Sequence, residues 1–282
     1  MRLVTDYARV RVPASAVLCS NDHGEHLTVA FDLWDDYAAT VTVAESRTMV
    51  TGPSKEVAPR NADHPTIKAM LATLDHIQAP QAGIALIGQT QIPPAVGLGA
   101  RSAAIVAGIN LVRALVGDPA DFTDDDACDL AISLGASPWR VHAIISGGTS
   151  LGWSSGQSQG RLILPLSSAL PVTLLVSEPR STADSNYASG AVAVLAHALS
   201  QDPQILPQAC QLIPARSTQD PASAYSGYFL QALHNGQWPA VLAGSGPAIV
   251  LLTDLDPQLV QRFSQEGYAS ISTSLIGKVS NG

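Results

Sequence analysis

Alternation of apolar and polar residues along the chain predicts its first strands. The stretch ARVRVP, residues 8–13, alternates along its whole length and predicts a strand that ends at Pro13. The stretches LTVAFDLW (27–34) and YAATVTVAE (37–45) predict a pair of strands joined near Asp35–Asp36. The chain therefore opens with β-structure, and the acidic pair is expected to occupy the turn within it.

Apolar residues three and four positions apart predict helices farther along. Residues 64–77 follow this spacing, and residues 102–117 are expected to form a strongly apolar helix that ends at Gly117. A third helix is expected over 122–135, with Thr123 as its N-cap and acidic residues in its first turn. Helices thus follow the early strands at short intervals.

The second half of the chain alternates between strands and helices again. The runs RLILPL and VTLLVSEP predict strands and place a domain boundary near residue 165. The chain is then divided into a domain at 1–165 and a domain at 166–282, the latter with a strand, a glycine turn and a strand over 239–254. Residues 213–227 are expected to be irregular. Strands and helices mixed at this spacing favour an α/β or α+β fold.

Composition narrows the classes of function. The 282 residues are 46% hydrophobic and 13% charged with a net charge of −8, which indicates a globular chain and no basic surface for nucleic acid. The three cysteines, Cys19, Cys128 and Cys210, are too far apart for a metal site or a disulfide framework. Neither a signal peptide nor a stretch of ~18 apolar residues is recognised, so a soluble cytoplasmic protein without a membrane partner is expected.

Two glycine-rich loops are the candidate ligand-binding sites. The stretch VGLGARSAA (96–104) leads directly into the apolar helix, so its backbone N–H groups would lie beside the positive end of the helix dipole and could bind phosphate. Its spacing matches neither the Walker pattern nor the dinucleotide fingerprint. The stretch GSGP (244–247) separates two apolar runs. Together the loops favour a ligand cleft between domains, and the alternative is that they serve only to pack a helix against a sheet.

Three stretches resemble one family. IPPAVGLGARSAAIVAG (92–108) is similar to the nucleotide loop of the GHMP small-molecule kinases, usually P…GLGSSAA, and LAGSGPAIVLL (242–252) resembles their C-terminal glycine motif. VRVPASAVLCSNDHGEHLTVAFDLWDD (10–36) is similar to the opening of homoserine kinase, a member of that superfamily. LGASPWRVHAIISGGTSLG (134–152) also resembles diphosphocytidyl-methylerythritol kinase. The motifs occur in the family's order and span most of the chain.

The resemblance implies a two-domain fold, with an N-terminal α/β nucleotide-binding domain and a C-terminal ferredoxin-like domain. It implies that ATP binds at the first loop and that a substrate hydroxyl attacks the γ-phosphate. The nucleotide-binding residues would be Gly97, Leu98, Gly99, Ala100, Arg101 and Ser102. The substrate-binding residues would be Asp22, His23, Glu25, Arg140, Thr182, Gly244, Ser245 and Gly246, with Asp22 and Arg101 in catalytic roles.

The sequence departs from the family pattern at charged positions. The family's serine pair falls on Ala100 and Arg101, its metal-binding glutamate falls on Gly135, and an asparagine falls on Arg140. Mg²⁺ is therefore a possible cofactor whose usual ligands are not matched, and no metal ligand is assigned. The two arginines could neutralise phosphate in place of the metal, because guanidinium is permanently charged and binds phosphate in a bidentate manner.

Three functions remain open from the sequence, and whether the chain is an enzyme stays undecided. The first is an ATP-dependent kinase for the hydroxyl of a small metabolite such as homoserine or threonine, or an enzyme like diphosphocytidyl-methylerythritol kinase. The second is a catalytically inactive protein that binds a nucleotide or a phosphorylated metabolite. The third is a structural or partner-binding role. A homodimer is compatible with the sequence.

Overall fold

The computed structural model describes residues 3–21, 23–155, 158–166, 169–177, 189–213, 221–244 and 246–277. The strands are β1 (Tyr7–Ser20), β2 (His26–Thr42), β3 (Arg47–Thr51), β4 (Gly83–Gln89), β5 (Thr149–Ser155), β6 (Ser158–Leu164), β7 (Pro171–Val176), β8 (Ala240–Leu242), β9 (Ile249–Leu251) and β10 (Ala269–Ser274). The α-helices are α1 (Pro65–His76), α2 (Ala100–Val116), α3 (Asp124–Ser133), α4 (Pro138–Ser146), α5 (Ser189–Ser200), α6 (Leu206–Gln211), α7 (Pro221–Asn235) and α8 (Pro257–Gln265). A 3₁₀ turn at Pro203–Ile205 precedes α6.

The chain folds into two compact units, of which the first comprises residues 1–14, 33–94 and 99–145. In this unit the second half of β2 pairs antiparallel with β4, and β3 pairs parallel with β4. Helices α1 and α2 pack closely, because Gly108 of α2 lies against the backbone of Thr66 and the side chain of Ala69 in α1. Helix α2 is buried along most of its length, which explains the continuous apolar character of its sequence.

The second unit comprises residues 15–32, 95–98 and 146–282. The first half of β2 pairs antiparallel with β5, which forms a hairpin with β6. A separate antiparallel sheet has the order β10-β7-β9-β8, with helices in the β7–β8 and β9–β10 connections. This order, 4-1-3-2 in chain sequence, is that of a ferredoxin-like domain. The hydrophobic core beneath this sheet includes Phe263 of α8 and Tyr268, which follows that helix.

The predicted fold class, a mixed α/β two-domain architecture, is confirmed. The units are not consecutive in the sequence: β5 and β6 (149–164) group with the second one. The domain division at residue 165 stays a prediction.

Two local predictions were wrong, both because strands are longer than the pattern suggested. β1 continues through Pro13 to Ser20; it pairs with β2 alone among the described strands, so a proline without an N–H is tolerated there. β2 is one strand of 17 residues and does not turn at Asp35–Asp36. Asp35 is buried on the inner face, whereas Asp36 lies on the outer face beside Arg9. Alternation within an extended strand therefore accommodates both acids.

A third prediction was wrong in part. Residues 213–227 were expected to be irregular, but α7 begins at Pro221 within this range. Proline at the first helical position loses no hydrogen bond and favours helix initiation.

Candidate functional site

The three family-like stretches meet through backbone hydrogen bonds in the second unit. The N–H of Ser15 in β1 donates to the carbonyl of Leu98 at 3.1 Å, and the N–H of Gly244 donates to Val17 at 2.7 Å. The N–H of Ala248 donates to Val96 at 3.1 Å. The second half of β1, the first glycine loop and the second glycine loop are therefore joined into one framework.

Glycine is required at the point where the two glycine loops touch. Gly97 has a φ of +92°, and a Cβ there would collide with the carbonyl oxygen of Ala243. In the second loop Gly244 (φ +57°) and Gly246 (φ +65°) also adopt the left-handed conformation. Any side chain at Gly97 would push the two loops apart, whereas the left-handed conformation accounts for the two glycines of the second loop.

The first turn of α2 has backbone N–H groups without a partner inside the helix. Gly99 is the N-cap of α2 in the left-handed conformation (φ +80°), and no side chain among the described residues caps the helix. The first N–H groups of a helix have no partner within it, and the helix dipole places partial positive charge at this end. The helix begins at Ala100, two residues earlier than predicted, so Arg101 and Ser102 lie within its first turn.

The α3–α4 turn lies beside this first turn within the first unit. Ser102 is buried, and its Oγ accepts a hydrogen bond from the N–H of Ser137 at 3.1 Å. Arg101 is exposed, and its guanidinium lies next to Gly135, where a Cβ would be 3.4 Å from Nη2. The stretch predicted to carry a metal-binding glutamate thus contacts the nucleotide loop, but with a glycine where the carboxylate was expected.

Arg140 lies in the first turn of α4 and is buried. Burial lowers the pKa of its guanidinium to about 10, so the group stays charged at neutral pH. The structure therefore places the second predicted arginine inside the first unit, whereas Arg101 is exposed to solvent.

The polar loop between β1 and β2 is organised by Asn21. Its side-chain oxygen accepts hydrogen bonds from the N–H groups of His23 and Glu25, both at 3.0 Å, and its amide donates to the Glu25 carboxylate at 2.6 Å. Asn21 was not among the predicted residues, although an Asx turn is a known role for asparagine in a loop. His23 and Glu25 are thereby held on one short turn.

His26 follows this loop and is buried, with its ring packed on Gly152 of the neighbouring strand. Burial lowers the pKa of its imidazole to about 4, so the ring is neutral at pH 7. His26 is thus placed as a packing residue at the base of the loop. The predicted residues Asp22, Thr182 and Ser245 lie outside the described residues.

Asp35 is a buried acid that the sequence analysis assigned to a turn. Its Oδ1 accepts hydrogen bonds from the N–H groups of Gln91 and Ile92 at 2.7 and 2.9 Å, and the Tyr37 hydroxyl lies 3.5 Å from Oδ2. Burial raises the pKa of the Asp35 carboxyl to about 6, against the lowering effect of these hydrogen bonds. The carboxyl holds the segment that leads to the first glycine loop.

The described residues do not form a recognisable metal site. No group of three or more His, Cys, Asp or Glu side chains among them could hold a metal ion. Beside Arg101 and Ser102 the contacts are with a glycine and a backbone N–H rather than with a carboxylate. The donor set in the first turn of α2 therefore suits an anion, and it does not match a protein-built Mg²⁺ site. Across the described part of the chain, every helix is too short or too polar to cross a bilayer.

Comparison with known proteins agrees with the observed fold. No family model matches the chain. The homoserine kinase of Streptomyces coelicolor is 29% identical over 263 residues, which cover 88% of this chain and 85% of that protein. The crystal structure of homoserine kinase from Cytophaga hutchinsonii aligns with a TM-score of 0.71 at 16% identity, over 99% of this chain and 97% of that one. The crystal structure of L. major mevalonate kinase in complex with R-mevalonate aligns with a TM-score of 0.73 at 13% identity, over 99% of both chains. The chain is therefore similar in sequence to homoserine kinases, and it has the fold of the homoserine and mevalonate kinases.

Proposed function

We propose that the chain is an ATP-dependent kinase that phosphorylates the hydroxyl of a small metabolite, with homoserine as the first candidate. The observation that carries the proposal is a homoserine kinase 29% identical over 88% of this chain. The three motifs of the resemblance are also joined by backbone hydrogen bonds in the second unit. A resemblance in sequence alone would not require these stretches to meet.

The first glycine loop and the start of α2 are proposed to bind the phosphates of ATP. Unpaired N–H groups in the first turn and the helix dipole both favour a negatively charged ligand. Arg101 would add a permanent positive charge, and no hydrogen bond or ion pair joins its side chain to another described residue. Ser102 accepts a hydrogen bond from the N–H of Ser137, so one role of its hydroxyl would be to fix the helix start.

In the proposed reaction the oxygen of the substrate hydroxyl attacks the γ-phosphorus, and the bond between this phosphorus and the β,γ-bridging oxygen breaks. ADP leaves, and the hydroxyl proton is transferred to a base or to water. Such transfer depends on positioning and on neutralising the phosphate charge. Glu25 and His23, held on one turn by Asn21, are proposed to contact the substrate, with Asp22 as predicted from the sequence. Magnesium normally accompanies ATP and would neutralise part of the phosphate charge.

A second candidate function is nucleotide binding without turnover. It is favoured by one observation, the presence of Gly135 and Arg101 where the resemblance implies a glutamate and a serine. An arginine can hold phosphate, but it does not supply the octahedral template of a metal ion. This arrangement would retain affinity for the nucleotide while slowing transfer.

The two functions are separated by measuring ADP release and thermal stability on the same protein. Purified protein would be given ATP, with and without Mg²⁺, and L-homoserine, L-threonine or R-mevalonate. Kinase activity predicts ADP release that depends on one alcohol and an equal amount of phosphorylated product by ³¹P NMR. The binding function predicts a rise in Tm with ATP but no release, because a ligand that binds only the folded state stabilises it. If ATP produces neither effect, both functions are excluded.

A further inference from the structure

Arg101 lies at the N-terminal end of α2, which is the less favourable end of a helix for a cation. It is the second residue of α2, where the helix dipole is positive, so the dipole of α2 disfavours a guanidinium at this point. The side chain nevertheless lies against Gly135, which follows the C-terminal end of α3. The dipole of α3 is negative at that end, and the last turn of α3 contains no basic residue of its own. The C-terminus of α3 is therefore a favourable place for the Arg101 charge.

Gly135 leaves the space beside the Arg101 guanidinium open. It has a φ of +89°, and its position as the residue after the C-cap of α3 explains why the backbone needs glycine there. The lack of a side chain has a second consequence, because a Cβ would touch Nη2 of Arg101 at 3.4 Å and Nε at 4.0 Å. A Cβ alone would therefore be in ordinary contact with Arg101, and a longer side chain directed along this contact would enter the space that the guanidinium now fills.

The turn is fixed against α2 by a second contact. Two residues beyond Gly135, the N–H of Ser137 donates to the buried Oγ of Ser102 at 3.1 Å. Consecutive residues of α2, Arg101 and Ser102, thus both contact the α3–α4 turn. The α3–α4 turn is therefore joined to the first turn of α2 at two consecutive residues.

We propose that Gly135 is a positioning residue, which leaves room for the Arg101 guanidinium on the α3–α4 turn and so directs it to the phosphate groups of a nucleotide. The proposal rests on the proposed function, since the phosphates are those of the ATP assigned to the start of α2. Gly135 itself contacts no ligand, and its effect is transmitted through Arg101. A side chain at residue 135 should therefore weaken nucleotide binding only when Arg101 is present.

The test is a double-mutant cycle with Gly135→Asn and Arg101→Met. Among residues with a side chain, asparagine tolerates the left-handed conformation well, so Gly135→Asn adds a side chain at a limited backbone cost. Methionine keeps an unbranched side chain that reaches about as far as Nε of Arg101, and it removes the charged guanidinium. The matched control is Gly267→Asn, since Gly267 has a φ of +86°, follows the C-cap of α8 in the same way, and has nothing within 4 Å of its Cβ position. Affinity for ATP and ADP is measured by calorimetry at two salt concentrations.

Each single variant at residues 135 and 101 should weaken ATP binding about tenfold or more, the loss expected for one charge-assisted hydrogen bond to phosphate. The double variant should bind no more weakly than Arg101→Met alone, and both should show a smaller loss of affinity with salt than the wild type. Gly267→Asn should leave affinity unchanged.

Additive losses in the double variant, or an unchanged affinity in Gly135→Asn, would overturn the positioning role and leave the proposed function intact. A wild-type protein that binds no nucleotide would overturn both. If Gly135→Asn lowers Tm much more than Gly267→Asn does, Gly135→Ala replaces it in the cycle. The Cβ of alanine would only contact the guanidinium, so a smaller loss of ATP affinity is expected, and this loss should still depend on Arg101. A loss of affinity that is independent of Arg101 refutes the proposal.

Discussion

Asp35 provides a sharp test of the electrostatics beneath the first glycine loop. The perturbation is Asp35→Asn, which keeps an oxygen able to accept from the N–H groups of Gln91 and Ile92 and removes the ionisable group. Asp35 is 1% exposed, so its ionisation is not screened by solvent. Burial raises the pKa of its carboxyl from 3.8 to about 6. That difference corresponds to roughly 3 kcal/mol between the two protonation states.

The direction of the pH dependence follows from the raised pKa. The folded chain binds the Asp35 proton more tightly than the unfolded chain does, so this contribution to stability is complete below about pH 4. It is lost as the pH rises through about 6, when the buried carboxyl ionises. The advantage of Asp35→Asn over the wild type should therefore grow by about 2 kcal/mol between roughly pH 4.5 and 7.5.

The assay is thermal unfolding of both proteins at several pH values. For a chain of this length, about 2 kcal/mol corresponds to a difference in Tm that widens by roughly 4 °C or more. Asp36→Asn is the matched control, since Asp36 is the neighbouring acid on the outer face, paired with Arg9 and Arg11. A difference between wild type and Asp35→Asn that does not change with pH would refute the assignment of a raised pKa to Asp35.

Three further experiments test helix packing, helix capping and the burial of a thiol. Gly108→Ala should lower the free energy of unfolding, measured by urea titration, by about 1–3 kcal/mol despite alanine's helix propensity, because its Cβ would collide with the α1 backbone. In the same titration Gly190→Ala in α5, where a Cβ has open space, should be neutral or stabilising. Thr123→Ala should cost about 1 kcal/mol by removing the capping box of α3, and an unchanged urea midpoint would contradict this. Cys19 is buried with a pKa raised to about 12, so its thiol should react with iodoacetamide at pH 8 only after unfolding; rapid labelling of the native protein at this site would show that it is accessible.

The sequence predicted the elements whose signals are local. Helix α3 has the predicted N-cap, Thr123, with a complete capping box, and α1 lies within the range given by apolar spacing. The first glycine loop leads into an apolar helix as expected, and the second separates two short strands. These features depend on backbone conformation and hydrophobic period over a few residues, which can be read without knowing their neighbours.

The tertiary structure decided the features that depend on contacts distant in sequence. Asp35 looked like a turn residue, but it is held in a strand because its carboxylate accepts N–H groups 56 and 57 residues away. The departure of Gly135 from the family pattern had no evident consequence in the sequence. Folding places Gly135 against Arg101, 34 positions earlier in the chain, so the two residues that depart from the family pattern contact each other. Local patterns fix the type of an element, whereas only packing brings distant charges and glycines together, and that packing underlies the candidate site.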